Sequence, residues 1–168
     1  MAITKLVADS LGTGVGGKVL QVVTVNDNTQ YAAGSSGGVE YTELELSMTP
    51  SATSSKILIS VNLGLLGADA AADIGIQIKR SIGAGAATTL QVGSSGTACT
   101  FVPVMSTVGN YAAFNGTHIL IDSPSTTSSC KYEVFVNINS PRTFYINRRG
   151  ADTTYSSSSA MHLIEIGA

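Results

Sequence analysis

The stretch Lys56-Ile-Leu-Ile-Ser-Val-Asn-Leu-Gly-Leu-Leu66 decides the fold class. Ile57, Ile59, Val61, Leu63 and Leu65 occupy alternate positions, with Ser60 and Asn62 between them. A period of two marks a strand that buries one face, so this segment reads as a central core strand. Immediately upstream, Leu44, Leu46 and Met48 alternate with Glu43, Glu45 and Ser47, and Pro50 ends that strand before the turn 50–55. Further upstream, Lys18 to Val25 is β-branched enough to be a strand, and 26–38 reads as a polar, Gly-rich connection.

The same period continues downstream. Ile74, Ile76, Ile78 and Ile82 face one way, with Arg80 interrupting that face at its rim. Leu90 and Val92 suggest a short strand inside a Gly- and Ala-rich stretch, and 101–108 and 116–122 supply two more. Tyr132, Val134, Val136 and Ile138 alternate with Glu133, Phe135 and Asn137, and 144–147 and 161–166 close the chain. No segment has the period of a helix. Eight or nine strands separated by polar turns predict an all-β, antiparallel β-sandwich or jelly roll over 18–168, with the strand order left open. Residues 1–17 read as a short extended N-terminal arm ending in the Gly-rich hinge 12–17.

Only 12% of the 168 residues are charged, whereas 43% are hydrophobic, and the formal net charge is −2. Disordered chains combine low hydrophobicity with high charge, so this composition predicts one folded domain. A surface so poor in charge is weakly protected against self-association, which makes oligomerisation the expectation. The nine Lys and Arg are scattered except at Lys79-Arg80 and Arg148-Arg149, so no basic stripe is available for nucleic acid. No window of about 20 residues is free of charge and glycine, which argues against membrane insertion. The apolar stretch near the start is too short for a secretory signal.

Catalytic chemistry finds little footing. His118 and His162 lie in strands without a nucleophile or ligand set nearby in sequence, and both read as surface or interface residues. Cys99 and Cys130 are too far apart for a metal or redox motif and read as separate thiols, with a disulfide the alternative. Among the carboxylates no pair stands out for glycoside hydrolysis, and Asp69 and Asp73 are too sparse for a calcium loop. The glycines at 12–17 precede a strand, which excludes a dinucleotide fingerprint, and the Asn115-Gly-Thr117 sequon is coincidental in a chain with no secretory signal. The expectation is a binding protein with no catalytic residue, metal or cofactor. Its candidate contacts are Tyr145 and Tyr155, with Tyr111 and Phe114 beside them, and the loop cations Arg148 and Arg149, near Arg142. Exposed tyrosines stack on sugars or fill a partner's pocket, and arginine pairs with anionic groups.

Four segments, in order, carry a resemblance: 17–23 (GKVLQVV), 49–59 (TPSATSSKILI), 122–136 (DSPSTTSS leading to YEVFV) and 163–166 (LIEI). Together they resemble the small β-structured virion proteins of marine and freshwater phages, especially cyanophage tail-fibre-like structural proteins. The resemblance implies a homotrimeric β-sandwich attached to other virion proteins by its N-terminal segment, here 1–11, and hence a virion location. Ile3, Leu6, Val7 and Leu11 would then be the anchoring side chains, and partial burial of four such groups would stabilise docking by several kcal/mol before ordering costs. The chain has no repetitive shaft, unlike long fibres. The expected role is a short tail-fibre or appendage module in contact with host surface glycan. A capsid decoration (cement) protein is the alternative, and a carbohydrate-binding module the alternative of another class.

Overall fold

A computed structural model describes residues 18–34, 38–91, 93, 99–104, 109–138 and 141–167, and within them every regular element is a strand. In chain order these are β1 (Val19–Asp27), β2 (Tyr31–Gly34), β3 (Val39–Met48), β4 (Lys56–Ala68), β5 (Ile74–Ile82), β6 (Thr88–Thr89), β7 (Phe101–Val104), β8 (Phe114–Asp122), β9 (Cys130–Ile138), β10 (Thr143–Ile146) and β11 (Ser159–Ile166). The first sheet runs β1-β11-β4-β10-β2 with β8 also on β4, and the second runs β3-β9-β5-β6 with β7 also on β5.

Register reduces these strands to fewer rows. Leu66 of β4 pairs with Phe114 of β8 on one side and Ile146 of β10 on the other, so β10 shares an edge of β4 with β11. β2 continues β1 in the same way, and β6 and β7 share one edge of β5. Each sheet therefore has four rows, the first ordered β1/β2, β10/β11, β4, β8 and the second β3, β9, β5, β6/β7. Counted along the chain, the first row pairs with the last, the second with the seventh, the third with the sixth and the fourth with the fifth. That is one long hairpin rolled across two sheets, the jelly-roll solution to hiding two apolar sheet faces.

The core follows the period-two pattern. Ile57, Ile59, Val61 and Leu63 on β4 meet Ile74, Ile76 and Ile78 on β5 and Tyr132, Val134 and Val136 on β9, all fully buried. Two expectations need correction. Leu65 is only half-buried and Leu66 takes the core position, because the register slips between Leu63 and Leu66 and reverses the facing. The supposed connection 26–38 contains β2, whose short edge pairing with β10 left no long alternation to read. The strand near Leu90 is Thr88–Thr89, with Leu90 just beyond it donating its amide to the Ile78 carbonyl at 2.8 Å. Val92 and 105–108 lie outside the described residues, as do the hinge 12–17 and the arm before it.

Arg80 does sit at the rim. Its guanidinium reaches across to Asp122 on the other sheet at 2.7 Å, and Tyr132 donates its hydroxyl to the same carboxylate at 2.9 Å. Both cysteines are free, and burial pushes both thiols up. No helix among the described residues is long and apolar enough to cross a membrane.

Candidate functional site

β10 and β11 form one row, but 147–158 leave it between them. This excursion lies against β4 because Gly67 has no side chain there. A Cβ at Gly67 would stand 2.7 Å from the Gly150 nitrogen and 3.1 Å from the Arg149 Cα. The Ala151 amide donates to the Asn110 carbonyl at 2.7 Å, tying the excursion to the loop that carries Tyr111.

The excursion gathers the cluster. Arg148 stacks over the Tyr145 ring at 4.3 Å. Arg149 lies between two rings, 5.1 Å from Tyr111 and 4.9 Å from Tyr155, and grips Asp152 through two hydrogen bonds of 2.9 and 2.7 Å. Hydrogen bonds from Arg149 and from the Thr154 amide hold the Asp152 carboxyl well below the usual range. Tyr111 and Tyr155 remain 71% and 61% exposed, so the planar cation fixes two rings while leaving them open to a partner. The cluster offers aromatic faces, hydroxyls and, at Arg149, a guanidinium largely neutralised by Asp152.

Beneath it lies a buried polar hub. Asn147, fully buried with φ of 62°, donates from Nδ2 to the Asp27 and Thr29 carbonyls at 3.2 and 3.0 Å, to Asp27 Oδ2 at 3.2 Å and to the Tyr41 hydroxyl at 3.2 Å. Its Oδ1 accepts from the Ser159 hydroxyl at 2.7 Å, and Ser159 Oγ accepts from the Gly64 amide at 3.0 Å. Tyr41 donates to Asp27. Burial would raise the Asp27 carboxyl, but hydrogen bonds from Tyr41 and the Thr29 amide outweigh it and hold it below its ordinary value.

The structure therefore brings together Tyr145, Arg148, Arg149 and Tyr155, and with them Tyr111, which the sequence had set beside them. Arg142 is exposed on the approach to β10, and Phe114 is 39% exposed at the head of β8. The anchoring candidates Ile3, Leu6, Val7 and Leu11 lie outside the described residues. His118 is not a simple surface residue. It stacks on Phe101 at 4.9 Å, and its buried Nε2 has no hydrogen-bond partner among the described residues, whereas His162 is half-buried beside Ser60 and Thr24.

One grouping had no signal in sequence. A register slip between Glu40 and Glu45 on β3 brings both to Glu133 of β9, with carboxylate oxygens within 4.8 Å of one another. Lys131 supplies the compensating charge, 3.2 Å from Glu45 and 2.5 Å from Glu133. Burial, and then the neighbouring Glu133, push the Glu40 carboxyl up.

Replacing Gly67 by Ala will lift the excursion, because both clashing atoms are backbone and cannot rotate away. Trypsin should then cut after Arg148 or Arg149 about tenfold faster, while the sheets stay intact by circular dichroism, since local opening scales with local contacts. Unchanged cleavage would mean that the excursion is held by something other than its seat on β4.

No protein-family model matches the chain, and no curated protein matches it. Solved structures of infectious bursal disease virus are similar. The Gx strain structure is 13% identical with a TM-score of 0.43, and the Gt strain structure is 13% identical with a TM-score of 0.46, each covering 99% of this chain and 47% of that one. The VP2 subviral particle structure is 14% identical with a TM-score of 0.41, over 88% of this chain and 37% of that one. The chain thus spans about half or less of the length of these structures.

Proposed function

We propose that this chain is a virion structural protein of phage, a short tail-fibre or appendage module that assembles as a homotrimer. It attaches to other virion proteins through 1–11 and presents the Tyr111–Arg149–Tyr155 cluster to a host surface glycan. It works by binding, without catalysis, metal or cofactor. The observation that carries this reading is the polarity of the sandwich. Lys18, where the arm enters, lies beside Gly167 at the Lys56 end of β4, through a 2.8 Å hydrogen bond and the Ile166–Lys56 pair. The cluster packs on Gly67 at the opposite end. At about 3.3 Å per residue, the eleven steps from Lys56 to Gly67 along β4 separate attachment from contact by roughly 35 Å. The sequence resemblance to phage virion proteins supports the same reading.

A paired experiment tests it. Deleting 1–11 should leave a folded protein that no longer enters particles. Replacing Tyr111 and Tyr155 together by Ala should leave incorporation unchanged but lower adsorption to host cells by about tenfold or more, as loss of two exposed aromatic contacts does at a recognition surface. Normal incorporation of the truncated chain rejects the anchor, and normal adsorption of the double variant rejects the glycan contact.

A capsid decoration protein is the second reading, favoured by exposed apolar side chains on the first sheet, Val22, Ile119 and Ile121 among them. Quantitative mass spectrometry of particles with antibody labelling in electron microscopy separates the two. Copies spread over the head mean decoration, and a few copies at the tail mean an appendage.

A further inference from the structure

The outer faces of the two sheets differ in charge. On the second sheet Glu45, Lys131, Glu133 and Lys79 cluster around adjoining positions, with Lys79 lying 3.7 Å over the Phe135 ring. On the first sheet, the outward positions from Val19 to Asn26, Ala160 to Ile166, Lys56 to Asn62 and Thr117 to Ile121 carry one formal charge, Lys56 at the end. Across them runs an unbroken apolar ladder, Val22 to Ile164 to Leu58 to Ile121, one residue from each row. Ile119 adjoins it at 59% exposure, and Val22 and Ile121 are 55% and 52% exposed. Directly opposed residues share a face, so this is one continuous patch and not scattered leucines and isoleucines.

We infer that this face is where copies of the chain associate, a second copy being its occupant. This rests on the self-association proposed above and names its surface. Four rows about 4.8 Å apart and about seven residues long project roughly 450 Å2. The accessible surface of a corrugated side-chain layer is larger and approaches the ~800 Å2 per partner of a standard interface. Turned toward a three-fold axis, the same face of each copy meets that of its neighbours, so one surface serves every contact of the trimer. A face with almost no charge meets its own copy without repulsion, whereas an interface on the second sheet would have to desolvate Glu45, Glu133, Lys79 and Lys131.

The test is the mass of the full chain in solution, by light scattering and native mass spectrometry, for the wild type and for Ile119→Lys/Ile121→Lys. Both positions are exposed edge-row sites, so the variant should keep its β-sheet circular dichroism. The wild type should run as a multiple of 17.2 kDa and the variant as a monomer, its dissociation constant raised about a hundredfold or more, as for charge placed in an apolar interface. Lys79→Glu, on the other sheet, should leave the wild-type mass unchanged. An Ile119→Lys/Ile121→Lys oligomer of wild-type mass overturns the inference, as does dissociation caused by deleting 1–11 alone, which would make the arm the occupant. A wild type that is monomeric at high concentration also overturns it, while particle incorporation, measured separately, still decides the virion reading.

Discussion

Val136→Asp and Ile59→Asp are each expected to leave no folded protein. Both side chains are fully buried, Val136 on β9 between β3 and β5, and Ile59 on β4 between β11 and β8. A carboxylate in either place meets no cation among the described core residues, and an uncompensated buried charge costs several kcal/mol on top of the lost packing. A domain of this size has only about 5–15 kcal/mol in total, so the substitution consumes most of it. Circular dichroism and the soluble fraction on expression are the measurements. Ile119→Asp is the matched comparison, since Ile119 lies in the edge row β8, on the outward face and 59% exposed, and it should remain folded. A native-like melt for Val136→Asp would mean that β9 faces the other way.

That contrast works because facing was legible in the sequence wherever a strand is regular. Tyr132, Val134 and Val136 alternate without fault and are all buried. Legibility fails where one residue is inserted. Nothing in Leu63-Gly-Leu-Leu66 says which leucine the bulge will turn inward, since either choice satisfies the pattern on one side of it. On β3 the same kind of slip buries Tyr41, three residues before Leu44, at a spacing no strand period predicts. The strand order was equally closed to sequence, because pairing of the first row with the last joins residues more than a hundred apart.

The candidate site was half legible for a related reason. Tyr145, Arg148, Arg149 and Tyr155 are close in sequence, and their residue types already suggest contact. Tyr111 joins them only because the Asn110 carbonyl accepts from Ala151, a tertiary contact. The polar hub under the cluster gives no local signal at all. Asp27, Tyr41, Asn147 and Ser159 come from β1, β3, the excursion and β11, and only the roll of the hairpin makes them neighbours.

Asn147→Asp should be the most damaging change at that hub, although it alters one atom. Nδ2 is the donor that four acceptors share: the Asp27 carbonyl and carboxylate, the Thr29 carbonyl and the Tyr41 hydroxyl. An oxygen there turns donors into repulsion and sets a second carboxylate 3.2 Å from Asp27 Oδ2. Leaving buried acceptors unsatisfied beside an unpaired charge costs about 3–5 kcal/mol. At roughly 2–4 °C per kcal/mol for a chain of this length, Tm should fall by about 6–20 °C. The pH dependence identifies the cause. In the wild type the Asp27 carboxyl is held below its ordinary value, as is that of Glu165, where burial is outweighed by hydrogen bonds including those from the Ser51 amide and Gln21. Both contribute stability that is complete above the unfolded carboxylate pKa and lost as pH falls through the lower folded values, so the wild type weakens only below about pH 4.5. The new Asp at 147 faces an anion in a buried place, which raises its folded pKa, so the variant should regain stability as pH falls from 7 towards 5. Melting curves at pH 7 and pH 5 decide between the causes. A variant that is equally weakened at both values has lost packing, whereas recovery at pH 5 identifies two carboxylates forced together under the tyrosine–arginine cluster.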